Sequence, residues 1–288
     1  MPKLIDDLTI VIVLYQENLE LIRKSLKNIK NLKIIIIDND NNSELKDKIC
    51  KEFQIQKYIL HKKNIGFAKS ANIGIKLADT RYVMNMSADC LINQDSILKL
   101  LLANQKDPNC FITAPTFYYP DNNPSQNAGT FSYKKILSSD NFFDGDLCVD
   151  WVLGGQVFEK EMMEEIGMFD DNLFLYFPDE DIGRRALLKK KSIIQLSEAT
   201  AIHVHGTPKT KNFFKRIYLK NFHYTHDELY YNFKINTHKE IFNKLNKKIP
   251  NYLIKILLNV IILRLGKATK YLSIVLAFNK FKKFLNNN

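Results

Sequence analysis

Residues 8–15, LTIVIVLY, are apolar and largely β-branched with no polar alternation, the pattern of a strand buried on both faces of a parallel sheet. The next stretch, ENLELIRKSLKNI, changes period: Leu19, Ile22, Leu26 and Ile29 recur at helical spacing, after which LKIIIID returns to a buried strand. A βαβ unit therefore opens the chain. The alternation continues with a helix over 43–53, a short strand in KYILH, a helix in GFAKSANIGIKLAD, a strand in RYVMNMS and a helix over 95–105. Strands alternating with helices predict an α/β fold with a doubly wound sheet, whose ligands bind beyond the carboxyl ends of the strands. Functional residues are expected at strand exits.

Between residues 108 and 143 the pattern breaks into TAPTFYYPDNNPSQNAGTF, rich in Pro, Asn and aromatics, which reads as a long loop or irregular hairpin. Order resumes in VDWVLGGQVFEKEMMEEIGMFDD, a strand and a helix. After residue 205 the chain is basic and aromatic, and from Lys239 it reads as wholly helical, broken at Pro250 and Gly266. Two domains are expected, 1–233 and a basic amphipathic helical region over 234–288.

At 45% hydrophobic and 25% charged, the 288 residues match ordinary globular proteins and can bury a sizeable core. Charge changes this picture more than composition does. Residues 234–288 hold eleven Lys and one Arg against a single acid, Glu240, so this tail carries the whole formal excess of +11 and the rest is balanced. Cys50, Cys90, Cys110 and Cys148 stand far apart with no CxxC pair, so neither a zinc site nor a disulfide framework is expected. The N-terminal stretch has acids before its apolar run and does not read as a signal peptide. No segment reaches the roughly 18 uninterrupted apolar residues of a spanning helix.

Three groups of residues could carry chemistry. In IIIIDNDN, Asp38, Asn39 and Asp40 leave a buried strand together, where an acid can accept hydrogen bonds from a base or a ribose; a plain Asp/Asn turn is the alternative. No Gly-rich phosphate loop follows, which argues against a dinucleotide dehydrogenase or a P-loop enzyme. In NMSADC, Asp89 follows a strand directly, a position suited to holding Mg²⁺ or Mn²⁺ with substrate phosphates, or else to capping a helix. In FLYFPDEDIGRRA, Asp179, Glu180 and Asp181 precede Arg184 and Arg185, and HVHG follows some twenty residues later. A carboxylate there can serve as a general base and an imidazole can complete a metal site. The alternative is a solvated first helical turn, acidic for electrostatic reasons and paired with the arginines. His203 and His205 alternate on a strand, so at most one of them faces a shared site.

The order of these pieces resembles the inverting family 2 glycosyltransferases with the GT-A fold, in particular the bacterial rhamnosyl- and galactofuranosyltransferase-like branch. The resemblance covers roughly residues 9–207 and rests on TIVIVLYQENLELIRKSLKNI, IIIIDNDNNS, NIGFAKSANIGIKLADTRYVMNMSAD, DWVLGGQVFEKEMMEEIGMFDDNLFLYFPDEDIGRRA and HVHGT. It implies a mixed GT-A sheet flanked by helices, with the basic helical region as a C-terminal extension.

Residue by residue, the resemblance places Asp38 and Asn39 at the nucleotide, flanked by Val13, Tyr15 and Glu17. Asn64, Gly66, Phe67 and Asn72 fall near the donor. Ser87, Ala88 and Asp89 align with the DxD motif, Asp89 binding the metal and Ser87 replacing the first acid. Asp179 aligns with the catalytic base and Asp181 with a supporting acid, Pro178 stands at an acid position, and Glu180 is expected in solvent. Trp151, Gly154, Gly155 and Arg184 fall at the acceptor and sugar pocket, and His203 completes the metal site beside the variable His205.

The implied reaction is a single in-line displacement with Mg²⁺ or Mn²⁺, moving a sugar from a dTDP- or UDP-linked donor to a glycan or polyprenyl-linked glycan in bacterial surface polysaccharide synthesis. A non-catalytic nucleotide- or glycan-binding homologue and a nucleotidyltransferase are the alternatives. The tail is expected to hold a cytoplasmic enzyme on the inner leaflet of the membrane, or else to form a packed bundle or a homodimer interface. Nucleic acid is not expected, since no binding module accompanies the charge.

Overall fold

The computed structural model describes residues 2–131, 145–204 and 212–287, which separate into two compact units. The first comprises residues Met1–Asp170 and Asp179–Lys209. After a short helix that the pattern did not announce, α1 (Pro2–Asp6), its opening follows the hydrophobic pattern: β1 (Leu8–Leu14), α2 (Leu19–Ile29), β2 (Lys33–Asp38), α3 (Ser43–Glu52), β3 (Lys57–Leu60), α4 (Phe67–Leu77) and β4 (Tyr82–Ser87). Asn18 and Asn42 start α2 and α3 by accepting the backbone N–H of Glu20 and Leu45, which satisfies donors a helix leaves open. Alternate residues of β1 and β2 enter two different cores. Ile10, Ile12, Ile34 and Ile36 join α2 and α3 on one side, and Val11, Ile35 and Ile37 join α4 on the other, so the sheet is covered on both faces.

The remaining elements of this unit are β5 (Cys90–Ile92), α5 (Gln94–Lys106), β6 (Cys110–Tyr118), β7 (Ala128–Gly129), β8 (Leu147–Val149), β9 (Trp151–Val152), β10 (Gln156–Glu159), α6 (Lys160–Ile166), α7 (Pro178–Leu188) and β11 (Ser192–His203). The main sheet runs β3-β2-β1-β4-β10-β6-β11-β5, with β8 also on β11, and a small ribbon pairs β7 with β9. It is mixed: β10 lies antiparallel to both β4 and β6, while β1, β2, β3 and β4 are mutually parallel and β6 is parallel to β11.

The stretch expected to be irregular contains β6, a nine-residue strand that buries Phe111, Ile112, Ala114 and Phe117. Pro115 hid it, because proline argues against a central strand. The sheet accommodates Pro115 beside a register shift in β11 between Leu196 and Thr200, a bulge of the kind where a missing donor is tolerated.

The second unit comprises Asp171–Pro178 and Thr210–Asn288. It holds α8 (Phe213–Lys234), α9 (His238–Ile261) and α10 (Leu265–Asn286), packed around Leu229, Phe278 and Phe281. The expected 233/234 boundary falls inside this unit, because α8 packs on α10. Residues 171–178 join it through Asp227, whose buried Oδ2 accepts the backbone N–H groups of Phe174, Leu175 and Tyr176 at 3.1, 2.9 and 3.1 Å. Phe177 stacks on Tyr231, with centroids 5.2 Å apart.

The expected break at Pro250 does not occur. α9 runs through it, since Phe242, Leu245 and Ile249 pin the helix ahead of the one missing donor. The chain turns instead at 262–264, where Leu263 N–H bonds to Val260 O and Arg264 N–H to Asn259 O, a Schellman motif with Leu263 in the left-handed region at φ 58. Among the described residues, no helix is long and apolar enough to cross a membrane.

Candidate active site

The sheet sets the site. The parallel strands β1, β2, β4, β6 and β11 end at one edge, and the antiparallel β10 begins there. Glu17, Asp38, Asp89, His203 and the run Gly154–Gly155–Gln156, far apart in sequence, therefore share that edge.

Asp89 and His203 meet, with Oδ2 3.1 Å from Nε2 and both side chains partly exposed. The backbone fixes them: His203 pairs with Cys90 across β11 and β5, and Val204 N–H donates to Asp89 O at 3.0 Å. Phe117 adds an edge-to-face contact to the imidazole at 5.9 Å. Burial, and next the charge of Asp89, push the Glu17 carboxyl up to about 7. Among the described residues no group of three or more His, Cys, Asp or Glu side chains could hold a metal ion. Asp89 and His203 supply one oxygen and one nitrogen side by side, so a divalent ion held there would need its remaining ligands from beyond the described residues.

Asp179 lies in the first turn of α7 and is buried. Gln156 Nε2 donates to its Oδ1 at 2.6 Å and also to Val152 O at 2.7 Å, while Gln156 Oε1 accepts from Asn85 Nδ2 at 3.2 Å. An amide chain thus runs from β4 through β10 to the carboxyl. Burial, then the neighbouring Glu180 charge, push Asp179 up to about 7, partly offset by the Gln156 bond. Close approach of α7 depends on Gly183, where a Cβ would lie 2.0 Å from Asp150 O.

The other acids of this turn divide by helical direction. Asp181 turns away from Asp179, as residues two apart on a helix do, and its Oδ2 takes Arg185 Nε and Nη2 at 3.0 and 2.8 Å. Arg185 also donates to Ile166 O and Met168 O, so Asp181 ties α7 to the end of α6. Glu180, expected in solvent, is partly buried, and burial raises its carboxyl. Arg184 lies over the Phe131 ring at 3.9 Å.

Several residues expected near the nucleotide are engaged within the chain. Asp38 is buried, accepting Asp40 N–H at 2.7 Å and the Tyr58 hydroxyl at 3.0 Å; burial raises its carboxyl and these bonds oppose the rise. Asp40, bonded by Gln16 Nε2 at 3.2 Å, is the more open acid of this exit. Asn39 bonds Ser70 Oγ at 2.9 Å, and Asn64 Oδ1 accepts Gly66 N–H at 2.9 Å, shaping a loop in which Gly66 has φ 92. Asn72 clamps both backbone groups of Phe169, whose ring meets Phe67 edge-on at 5.5 Å.

Val13 pairs with Ile37 and Ser87 in the ladder, Tyr15 is half-buried just beyond it, and Ala88 is buried. The Trp151 indole packs on Gly129, where a Cβ would come within 2.6 Å of the ring. Gly154 and Gly155 are both left-handed, at φ 66 and 57, and Gly155 is pressed against Pro115 and Phe117. Asn85 and Gln156 were not among the expected site residues, whereas Asp40 stood with Asp38 and Asn39 at the acidic strand exit; the sequence signal for Gln156 is its place directly after the paired glycines. His205 lies outside the described residues.

A mixed sheet gathers an acid–imidazole pair and a buried carboxyl of raised pKa at the carboxyl edge of its strands, the edge at which open α/β sheets bind their ligands. The sequence profile of glycosyl transferase family 2 matches residues 9–167, and the chain belongs to this family of glycosyltransferases, with the GT-A fold. It is 27% identical over 217 residues to dTDP-rhamnosyl transferase RfbF of Shigella flexneri, covering 70% of each chain. It is 26% identical over 227 residues to the low-salt glycan biosynthesis hexosyltransferase Agl10 of Haloferax volcanii, covering 72% of this chain and 70% of that one.

Among solved structures, GalNAc-T7 with UDP, GalNAc and Mn²⁺ superposes with a TM-score of 0.57 at 15% identity over 77% of this chain, which spans 50% of that one. Mannosyltransferase PcManGT of Pyrobaculum calidifontis, in complex with GDP-Man and Mn²⁺, gives 0.50 at 14% identity over 76% of this chain and 62% of that one. At such identities the fold is what is shared.

Proposed function

We propose that this glycosyltransferase inverts the anomeric centre as it moves a sugar from a dTDP- or UDP-linked donor to a hydroxyl of a glycan or lipid-linked glycan, with Asp179 as general base. The buried Asp179 carboxyl, poised near 7 and oriented by Gln156, carries this reading. A base with its pKa near the working pH is ionised enough to act and basic enough to accept a proton. With Oδ1 held by the Gln156 N–H, Oδ2 takes the proton of the acceptor hydroxyl. The acceptor oxygen bonds to the anomeric carbon as the bond to the diphosphate oxygen breaks, and the nucleoside diphosphate leaves with that electron pair.

Asp89 and His203 would hold Mg²⁺ or Mn²⁺, which supplies charge neutralisation to the leaving diphosphate. The Mn²⁺ bound in GalNAc-T7 and PcManGT supports this assignment, and the name of the Shigella relative supports a dTDP-linked donor.

The test incubates the full chain with dTDP-rhamnose or UDP-hexoses and glycan acceptors, with Mn²⁺ and then with a chelator. Release of nucleoside diphosphate, a product of opposite anomeric configuration and loss of rate on chelation are expected. A retained configuration, or pyrophosphate released from a nucleoside triphosphate instead, would overturn the proposal.

A further inference from the structure

We propose that the second unit docks on an anionic lipid bilayer through the end of α9, the turn that follows and the start of α10. The two halves of α9 differ in what they meet. Phe242, Leu245 and Ile249 in the first half pack against the core of the unit. In the second half, Ile254, Leu257, Leu258 and Ile261 share one helical face and lie open, Leu257 being 66% and Ile261 74% exposed. Contiguous apolar surface of this kind marks an interaction site more often than plain solvent exposure.

The turn extends the same surface. Leu263 is 81% exposed and sits at the left-handed position of the Schellman motif, where glycine or asparagine is usual. A branched apolar side chain held outward in a disfavoured conformation gains nothing from the core of its own chain.

Charge selects the occupant. Beside the stripe, an open groove of about 980 Å³ has Phe213 and Leu263 among its apolar lining and Lys220, Arg264, Lys267 and Lys270 among its polar lining. No acid occurs after Glu240. An apolar lining with cations matches a phosphate joined to a hydrocarbon chain, and interfacial helices bind anionic lipid by this combination. A second copy of the chain fits less well, because a twofold contact would set the same cations against each other. The docking stands apart from the transfer chemistry, so its test reads binding and no turnover. With a lipid-linked acceptor, it places the enzyme where that acceptor is.

The experiment is co-sedimentation of the full chain with vesicles of phosphatidylglycerol and phosphatidylcholine in equal parts, and with phosphatidylcholine alone. The wild type should pellet with the first and far less with the second. Leu257→Gln combined with Ile261→Gln should weaken binding roughly tenfold or more by removing apolar contact. Lys267→Gln combined with Lys270→Gln should weaken it at low salt and matter little at high salt. All four side chains lie outside the packed core, and matching circular dichroism melts check that the variants fold.

A wild type that stays in the supernatant with anionic vesicles, or an apolar variant that binds as tightly as the wild type, overturns the proposal. So does a vesicle-free dimer, dispersed by the apolar variant, with no pelleting: that result gives the face to a second copy.

Discussion

Asp179→Asn tests the base and its surroundings together. The amide keeps the side-chain size and an oxygen that can accept the Gln156 N–H, and removes only the charge. Burial and Glu180 displace the wild-type carboxyl from 3.8 to about 7. At about 1.4 kcal/mol per tenfold change in the proton equilibrium, an ionised Asp179 costs the folded state on the order of 4 kcal/mol above pH 7. The sign follows from which state holds the proton. Below about pH 4 both states are protonated and the cost vanishes; between about 4 and 7 the unfolded chain releases a proton that the folded chain keeps. Relative to the variant, wild-type stability therefore falls as pH rises through this window and levels off above it.

The variant should melt on the order of 10 °C higher at about pH 8, with a smaller gain at about pH 5. Its transfer rate should drop about 10²- to 10⁴-fold while donor affinity holds, and the wild-type rate should decline as pH falls below about 7. Calorimetry and steady-state rates across the pH series measure both. A variant no more stable than the wild type at about pH 8 refutes the burial of the charge, and an unchanged rate refutes the base.

Gln156→Leu removes the N–H that holds the Asp179 carboxyl down, so the acid limb of the rate profile should move to higher pH and the rate fall roughly tenfold; an unmoved limb would show that Gln156 does not position the base. Asp89→Asn with His203→Ala should abolish the thermal stabilisation that Mn²⁺ and a nucleoside diphosphate give together, and a melting shift equal to that of the wild type would place the ion elsewhere. Gly183→Ala drives a methyl group against Asp150 O and should cost roughly 2–3 kcal/mol in denaturant titration, with loss of activity as Asp179 is displaced. Asp227→Ala strands three backbone donors and should lower stability by about 3 kcal/mol; a cost below about 1 kcal/mol would mean that water replaces the carboxylate there.

The first half of the chain was legible because its signals are local. Unbroken β-branched runs, helices with apolar residues at helical spacing and Asn caps act over a few residues, and β1 to β4 and α2 to α5 appear where those patterns stand, while the three-residue β5 is too short to show one. β6 was missed because Pro115 reads locally as a strand breaker, and only the neighbouring bulge in β11 tolerates it. α8 falls almost wholly before the expected 233/234 boundary because the excess of positive charge that marks the tail is counted from Lys234, whereas its packing partner α10 begins some thirty residues after it ends.

The candidate site divides in the same way. By itself the sequence determined that acids stand at the exits of buried strands, that an acidic triplet opens a helix, and that all excess charge lies in the tail; each follows from residue type and short spacing. Tertiary structure decided that Asp89 meets His203 across 114 positions, that Asp179 faces Gln156 while Asp181 turns to Arg185, and that Asp38 is enclosed while Asp40 stays more open. It also decided that the second half of α9 remains uncovered. The physical reason is that pairing order in a sheet and the azimuth of a packed helix are set by contacts between distant segments, and local periodicity carries no record of which distant segment will arrive.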